Sequence, residues 1–165
     1  MTFESPINAV YLRPFLPADQ DAIRALILAG LGSRFGTVDE SLNPDVDDLQ
    51  GYYVRVGETV LVAEYEGKLV GSGVLHRENG SDTVGRIVRV SVAAFMQGQG
   101  LGKRISQALL EAARVRQFQQ VLVETNADWT SALRLYQGLG FRETHRVAVP
   151  EYGYTEVHMA LHLAD

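Results

Sequence analysis

One stretch limits the fold of this chain more than any other. An apolar run from Ile87 to Phe95 is followed by MQGQGLGK over 96–103, an amphipathic segment from Leu101 to Arg116, and a second apolar run, QQVLVET, from Gln119 to Thr125. Strand, glycine loop, helix and returning strand form a crossover, which makes two parallel neighbours with a right-handed connection. Leu101, Ile105, Ala108, Leu109 and Ala112 lie on one helical stripe, so the helix packs on a sheet. The apolar centre of the returning run, Val121-Leu122-Val123, is that of a buried strand. The helix start also defines a chemistry. Its first backbone N–H groups have no intrahelical partners and carry the positive end of the summed peptide dipoles, roughly half a charge, which suits an anion. Gly98, Gly100 and Gly102 allow a tight turn and a close approach to an oxygen-rich ligand, and Lys103 adds positive charge.

Two phosphate loops fail against these residues. A dinucleotide fingerprint starting at Gly98 requires glycine where Lys103 stands, and a Walker A loop ending in Gly102-Lys103 requires Ser or Thr where Arg104 stands. The pattern Q/R-x-x-G-x-G/A does fit, as Gln97-Gly98-Gln99-Gly100-Leu101-Gly102. It resembles the pyrophosphate loop of the GNAT superfamily of acetyl-CoA-dependent N-acyltransferases. Further along, Ala132 to Phe141 reads A-x-x-L-Y-x-x-x-G-F, which looks like the helix and strand that close the acyl-CoA site in that superfamily. From the residues alone, Ala132, Leu135 and Tyr136 are core contacts at i, i+3 and i+4. Gly140 ends the helix in a left-handed conformation, and Phe141 opens a strand. Both motifs occur in the superfamily's order.

The remaining elements match that resemblance over nearly the whole chain. Ala9 to Arg13 is a strand, and Ile23, Leu26, Ile27 and Leu31 make a helix face over 19–31. Residues 32–51 are loop or short helix, rich in acid and holding Pro44. Thr59 to Tyr65 and Lys68 to His76 are strands joined by a tight Glu66-Gly67 turn, and Asn79-Gly80 marks the next reversal. Gly85 to Ala93 is the strand feeding the glycine loop. Asp128 to Gly138 is a helix with Asp128 as its N-cap, and Phe141 to Val149 pairs with Tyr154 to Leu163. The expected fold class is α/β (α+β): a GNAT-like mixed, mostly antiparallel sheet with one central parallel strand pair, flanked by helices. The resemblance implies one acyl-CoA N-acyltransferase domain over residues 1–165.

Composition narrows the function classes. With 165 residues, 46% hydrophobic and 21% charged, the chain belongs with globular single domains. It shows no apolar run near the roughly eighteen residues of a membrane span and no signal peptide, so a cytoplasmic protein without a membrane partner is expected. The absence of cysteine excludes disulfides, thiolate zinc sites and an enzyme thioester. The four histidines have no metalloprotease-type spacing. His158 and His162 fall on an expected strand, which would hold them about 13 Å apart, so no metal is expected. A net charge of −5 argues against a nucleic-acid partner. A homodimer is an admissible assembly.

The resemblance implies direct transfer of an acetyl group from acetyl-CoA to a primary amine of a small molecule or peptide. The pyrophosphate would rest on the N–H groups of Gly98, Gln99, Gly100, Leu101, Gly102 and Lys103, next to Gln97, and the pantetheine arm would lie along Val90, Ser91 and Val92. Such a reaction needs a neutral amine, a donor for the carbonyl oxygen and a proton for the departing thiolate. Tyr136 holds the superfamily's tyrosine position and would supply that proton, with partial effect because a phenol of pKa about 10 gives modest help to a thiolate of about 8.5. The carbonyl donor would be the Val92 N–H.

Two positions depart from the superfamily pattern. Many relatives carry a glutamate six residues before the position of Val92, where this chain has Arg86. Glu124 is the nearest carboxylate and stands as the candidate base, beside His76, which ends a strand, and a water relay. Where relatives often place an asparagine seven residues ahead of the tyrosine, this chain has Trp129, with Asn126 three residues earlier as a candidate CoA contact. Acceptor specificity would lie in 32–53 and 147–154. There the run Asp39, Glu40, Asp45, Asp47, Asp48 either attracts a cationic amine, with Tyr52 and Tyr53 behind it, or caps a short helix and faces solvent. A protein that holds acyl-CoA without turnover and a phosphate-binding regulatory domain are the alternative readings. The first is disfavoured by the presence of Tyr136, and the second leaves 132–141 unexplained.

Overall fold

The computed structural model describes residues 5–36 and 39–163. Seven strands, β1 (Tyr11–Pro14), β2 (Thr59–Tyr65), β3 (Lys68–Arg77), β4 (Val84–Val92), β5 (Gln120–Asn126), β6 (Arg142–Val149) and β7 (Tyr154–His162), hydrogen-bond in the order β1-β2-β3-β4-β5-β7-β6. The helices are α1 (Gln20–Phe35), α2 (Pro44–Asp47), α3 (Leu49–Tyr52), α4 (Leu101–Val115) and α5 (Thr130–Gly138), joined by short 3-10 turns. β4 and β5 are parallel, in register from Val84↔Gln120 to Arg86↔Leu122, whereas β1/β2, β5/β7 and β6/β7 are antiparallel. This is the mixed sheet with one parallel pair that the crossover implies. No helix among the described residues is long and apolar enough to cross a membrane.

The backbone groups into two compact units, one of Met1–Val74 with Arg89–Leu109 and one of Leu75–Val88 with Leu110–Asp165. In the first, Ile23 and Ile27 of α1, Val46, Leu49, Val62, Val70 and the α4 residues Leu101, Ile105 and Leu109 are buried. Glycine at 71 and 73 on β3 is what admits α4. A Cβ at Gly71 would lie 2.7 Å from Ile105, and one at Gly73 would lie 2.7 Å from Ile105 and 2.8 Å from Leu109. Arg104 ties α4 to the N-terminal segment, donating to the carbonyls of Ile7 at 2.8 Å and Val10 at 3.0 Å. In the second unit, Leu75, Val121, Val123, Tyr136, Phe141, Val157 and Met159 are buried. Burial alternates along β5 and β7, so one face of each strand joins the core and the other is more open. β6 is exposed along nearly its whole length, as an edge strand.

Turn chemistry is followed closely. Glu66 and Gly67 both have positive φ, 49° and 75°, the two-residue hairpin turn whose twist matches its strands. Asn79 and Gly80, at 49° and 73°, reverse the chain as expected. The first strand starts at Tyr11 rather than Ala9, which ends a 3-10 turn over Pro6–Ala9, and two helix boundaries differ. α1 passes through Gly32 and ends only at Phe35, where Gly36 (φ 78°) closes the last turn on the Gly32 carbonyl. Gly30, inside the helix, faces Ser91, and a Cβ there would meet its Oγ at an ordinary contact distance of 3.8 Å. Asp128 is not the N-cap of α5. Trp129 is, without a side-chain cap bond, and Asp128 lies in a local turn ahead of the helix, its N–H donating to Asn126 Oδ1 at 2.8 Å.

Candidate active site

The glycine loop has the local form its residues require. Gly98 and Gly100 have φ of 77° and 85°, and a Cβ built on either would meet nothing within 4 Å, so both open onto free space. The Arg104 N–H bonds the Gly100 carbonyl at 3.1 Å, which leaves the N–H groups of 101–103, at the head of α4, without a turn before them to supply acceptors. Leu101 is buried at 1% exposure, so only its backbone can face a ligand, while Lys103 is exposed. Gln97 and Gln99 fold back on the strand end, donating to the carbonyls of Val92 and Phe95, each at 3.3 Å. The arrangement fits an anion such as a pyrophosphate, bound mainly by backbone.

β4 brings the strand edge to this loop through an interruption. Arg89 has φ 56° in mid-strand, a left-handed conformation that costs a non-glycine residue energy and persists only where surroundings fix it. Ser72 Oγ donates to its carbonyl at 3.1 Å. Its guanidinium grips Asp45 at 2.9 and 2.7 Å and reaches Asn43 at 3.0 Å. Tyr53 donates its phenol to Asp45 at 2.6 Å. Burial alone would raise the Asp45 carboxyl, but Arg89 and Tyr53 outweigh it and hold it below the usual range. Beyond this anchor, Val90, Ser91 and Val92 are half-buried, and the Ala93 N–H bonds the Val70 carbonyl at 2.8 Å.

The acidic run is thereby largely engaged by partners within the chain, with Asp45 buried and Asp39, Asp47 and Asp48 at the surface. Asp45 is buried, Asp47 pairs with Arg24 at 3.0 Å, Asp48 accepts from the Gly51 N–H at 2.9 Å as the α3 N-cap, and Asp39 accepts from Ser41. The side chain of Glu40 lies outside the described residues. Of the two readings of this run, the structure favours the capping one.

Tyr136 owes its position to the end of α5. The Gly140 N–H bonds the Gln137 carbonyl and the Phe141 N–H bonds the Tyr136 carbonyl, each at 3.0 Å, with Gly140 left-handed at φ 98°. This is a Schellman ending, and its usual apolar contact is the Tyr136–Phe141 ring pair, edge to face with centroids 5.5 Å apart. The L-Y-x-x-x-G-F spacing is thus a device that stops a helix and fixes a phenol. Asn126 is buried at 6%, with Oδ1 engaged by the Asp128 N–H and its carbonyl by the Trp129 N–H at 3.0 Å.

Glu124 stands on the open face of β5, directly across from His158 on β7, while Asn126 pairs with Glu156. Glu124 Oε2 lies 3.9 Å from His158 Nε2 and 4.0 Å from Arg86, whose guanidinium is bonded to Glu78 at 2.5 and 3.1 Å. Burial, then the charge of Glu156, raise the Glu124 carboxyl above its ordinary value, and His158 and Arg86 only partly offset them. His76 turns its Nδ1 to the Arg77 carbonyl at 2.7 Å. Sequence reasoning missed Glu156, His158 and Arg89. The alternation in EVHMALH puts Glu156 and His158 on one face, but only the β5/β7 register brings that face to Glu124.

The chain is similar to several known proteins. Residues 30–141 match the acetyltransferase (GNAT) family. The uncharacterized N-acetyltransferase YjgM of Escherichia coli is 29% identical over 143 residues, 84% of this chain and 83% of that protein. The N-acetylaspartate synthetase of Xenopus tropicalis is 34% identical over 103 residues, 62% of this chain, and the chain spans only 38% of that relative's length. Among solved structures, yncA of Salmonella typhimurium, described with its cofactor acetyl-CoA, has a TM-score of 0.76 at 23% identity, with 94% of this chain and 95% of that one covered. A ribosomal-protein-alanine N-acetyltransferase of Brucella melitensis has a TM-score of 0.76 at 22% identity, with 93% and 99% covered. These likenesses to solved structures carry the fold. With the family match spanning most of the chain, they lead to one conclusion: this protein belongs to the GNAT acetyltransferase family and is an acetyl-CoA-dependent N-acetyltransferase.

Proposed function

We propose that residues 1–165 form one cytoplasmic acyltransferase domain that moves the acetyl group of acetyl-CoA directly to a primary amine of a small molecule or peptide. The observation that carries this reading is the loop of Gly98 and Gly100, both left-handed and open where a side chain would stand, at the head of a helix. Acetyl-CoA supplies an acetyl group activated as a thioester. The N–H groups of 98–103 bind its pyrophosphate, with Lys103 adding charge and Gln97 and Gln99 bracing the turn. Val90, Ser91 and Val92 offer backbone groups to the pantetheine arm, and Asn126 adds an amide contact. The Val92 N–H donates to the carbonyl oxygen as it gains negative charge. Glu124 accepts the amine's proton, and its raised proton affinity brings it nearer that of the amine. As the C–S bond breaks, Tyr136 O–H gives its proton to the thiolate and is reprotonated from water.

Millimolar CoA should raise the melting temperature of the protein, as any ligand selective for the native state does. Gly100→Val should abolish that rise by placing a branched side chain in the open face of the loop. Gly67→Val, at another left-handed glycine with open space around it, controls for backbone strain and should lower the melting temperature while leaving the CoA shift intact. An unshifted wild-type curve would overturn the reading. Thiol release from acetyl-CoA, followed across L-aspartate, L-alaninamide, an N-terminal alanine peptide and spermidine, then identifies the acceptor class.

A further inference from the structure

We propose that Glu156 and His158 are positioning residues for proton transfer: the proton that Glu124 takes from the amine is shared between Glu124 and Glu156, and His158, hydrogen-bonded to Glu156, holds that carboxylate beside Glu124. This rests on the reading of Glu124 as the base. The three side chains come from two neighbouring strands whose register is fixed, Glu124 opposite His158 and Asn126 opposite Glu156. One polar atom from each lies within 4.8 Å of the others. His158 Nε2 is hydrogen-bonded to Glu156 Oε2 at 3.0 Å and stands 3.9 Å from Glu124 Oε2, so the imidazole fixes Glu156 directly and reaches Glu124 only through space.

The imidazole itself is held by a stacked neighbour. His145 of β6 stacks on it with centroids 4.3 Å apart and planes 12° from parallel, and Thr144 braces His145 Nδ1 at 2.9 Å while donating to the His158 carbonyl at 3.1 Å. Water reaches the array, since the side chains of Glu124, Glu156 and His158 are 43, 23 and 18% exposed.

The charged and titratable groups facing Glu124 oppose one another. From β4, Arg86 pulls toward the ionised form, and Glu78 engages that same guanidinium. From β7, Glu156 disfavours ionisation and His158 favours it. Tyr154, on the same face of β7, is itself raised by burial and then by the charges of Glu156 and Glu124. Two carboxylates this close cannot both ionise freely, and the first proton to arrive can be shared as a carboxyl–carboxylate hydrogen bond. In the proposed step the N–H bond of the attacking amine breaks, its electron pair remains on nitrogen as the N–C bond forms, and the proton bonds to Glu124. It then passes to Glu156 or to water, which restores the base. A cation could also be surrounded by two carboxylates and an imidazole, but Arg86 already furnishes positive charge at Glu124.

The test uses full-length protein with carbon-13 at the glutamate side-chain carboxyls, titrated by NMR in buffer containing EDTA, with the Glu124 signal assigned by its loss in Glu124→Gln. Glu156→Gln should move the Glu124 midpoint down, and His158→Gln should move it up. A purely structural role would not produce opposite signs. Both variants should keep wild-type far-UV circular dichroism and CoA-induced melting shift. With acetyl-CoA and the best amine of the panel above, Glu156→Gln should lower kcat several-fold, with the acidic limb of the pH profile displaced toward lower pH, and Glu156→Asp should restore much of the rate. Unmoved Glu124 midpoints in both variants, or a Glu156→Gln profile superimposable on wild type while Glu124→Gln is inactive, would overturn this proposal alone. Full activity in Glu124→Gln would overturn the base assignment beneath it.

Discussion

Asp45 and Glu124 are carboxylates drawn partly out of water by the same fold, and their surroundings drive them in opposite directions. At Asp45 the cost of burial is outweighed by a bidentate guanidinium and a phenol, so the group stays ionised and anchors 43–53 to β4. At Glu124 burial is reinforced by a second carboxylate, and the Arg86 guanidinium and the His158 ring stand at about 4 Å rather than in bonding contact. A charge that is fully paired is a structural element. One left under-compensated has room to take up a proton, which is what a base requires.

Substitutions on the two sides should separate along that line. The largest effect is expected at Glu124: the change to Gln should lower kcat by about a hundredfold or more, within the usual range for loss of a general base, with the CoA-induced melting shift unchanged. Next comes Arg89→Met, which strands the buried Asp45 carboxylate and should destabilise the fold by about 3–5 kcal/mol, read from denaturant midpoints. The pH sign follows from the direction of the Asp45 shift. A carboxyl depressed in the folded state contributes stability above its unfolded pKa and loses it as pH falls through the folded value. Wild type should therefore lose melting temperature below the ordinary carboxylate range, and Asp45→Asn should start lower and fall less steeply there. If the Asp45→Asn curve instead runs parallel to wild type, the pair is not the source of that stability.

Tyr136→Phe should reduce kcat by roughly ten to a few hundred fold with little change in the KM for acetyl-CoA. The aromatic ring that packs on Phe141 is kept, so helix α5 should end as before, and loss of CoA binding in this variant would make Tyr136 a packing residue instead. The smallest effect belongs to the exposed pair. Asp47→Asn removes a surface partner of Arg24 and should shift stability by less than about 1 kcal/mol, leaving the ionic-strength dependence of acceptor kcat/KM unaltered. A flattened salt response would restore a steering role to the acidic run.

The parts legible in the sequence were those with local causes. The glycine loop, the two-residue turn at Glu66-Gly67 and the L-Y-x-x-x-G-F helix ending each follow from backbone conformations that only certain residues adopt, so their positions could be read directly. Gly32 misled because a glycine can stop a helix or merely pass through it, and α1 continues to Gly36. Asp128 misled because an aspartate ahead of an apolar stripe suits a turn as well as a cap, and here it lies in the turn closed by Asn126. The partners of Glu124 were not legible at all. Arg86, Glu156 and His158 meet it through strand pairing, which depends on register rather than on sequence neighbourhood. The same holds for Arg89 and Asp45, far apart in the chain and joined only by tertiary packing.

The most direct test is the pH dependence of kcat/KM for wild type and Glu124→Gln with the same acceptor, each corrected for the fraction of neutral amine. Glu124 must be ionised to accept a proton, and its folded pKa is raised. Wild type should therefore show an acidic limb with a midpoint above the ordinary glutamate range, and that limb should vanish, with a large loss of rate, in Glu124→Gln. Superimposable corrected profiles would show that the proton leaves by another route and would contradict the assignment of Glu124 as the base.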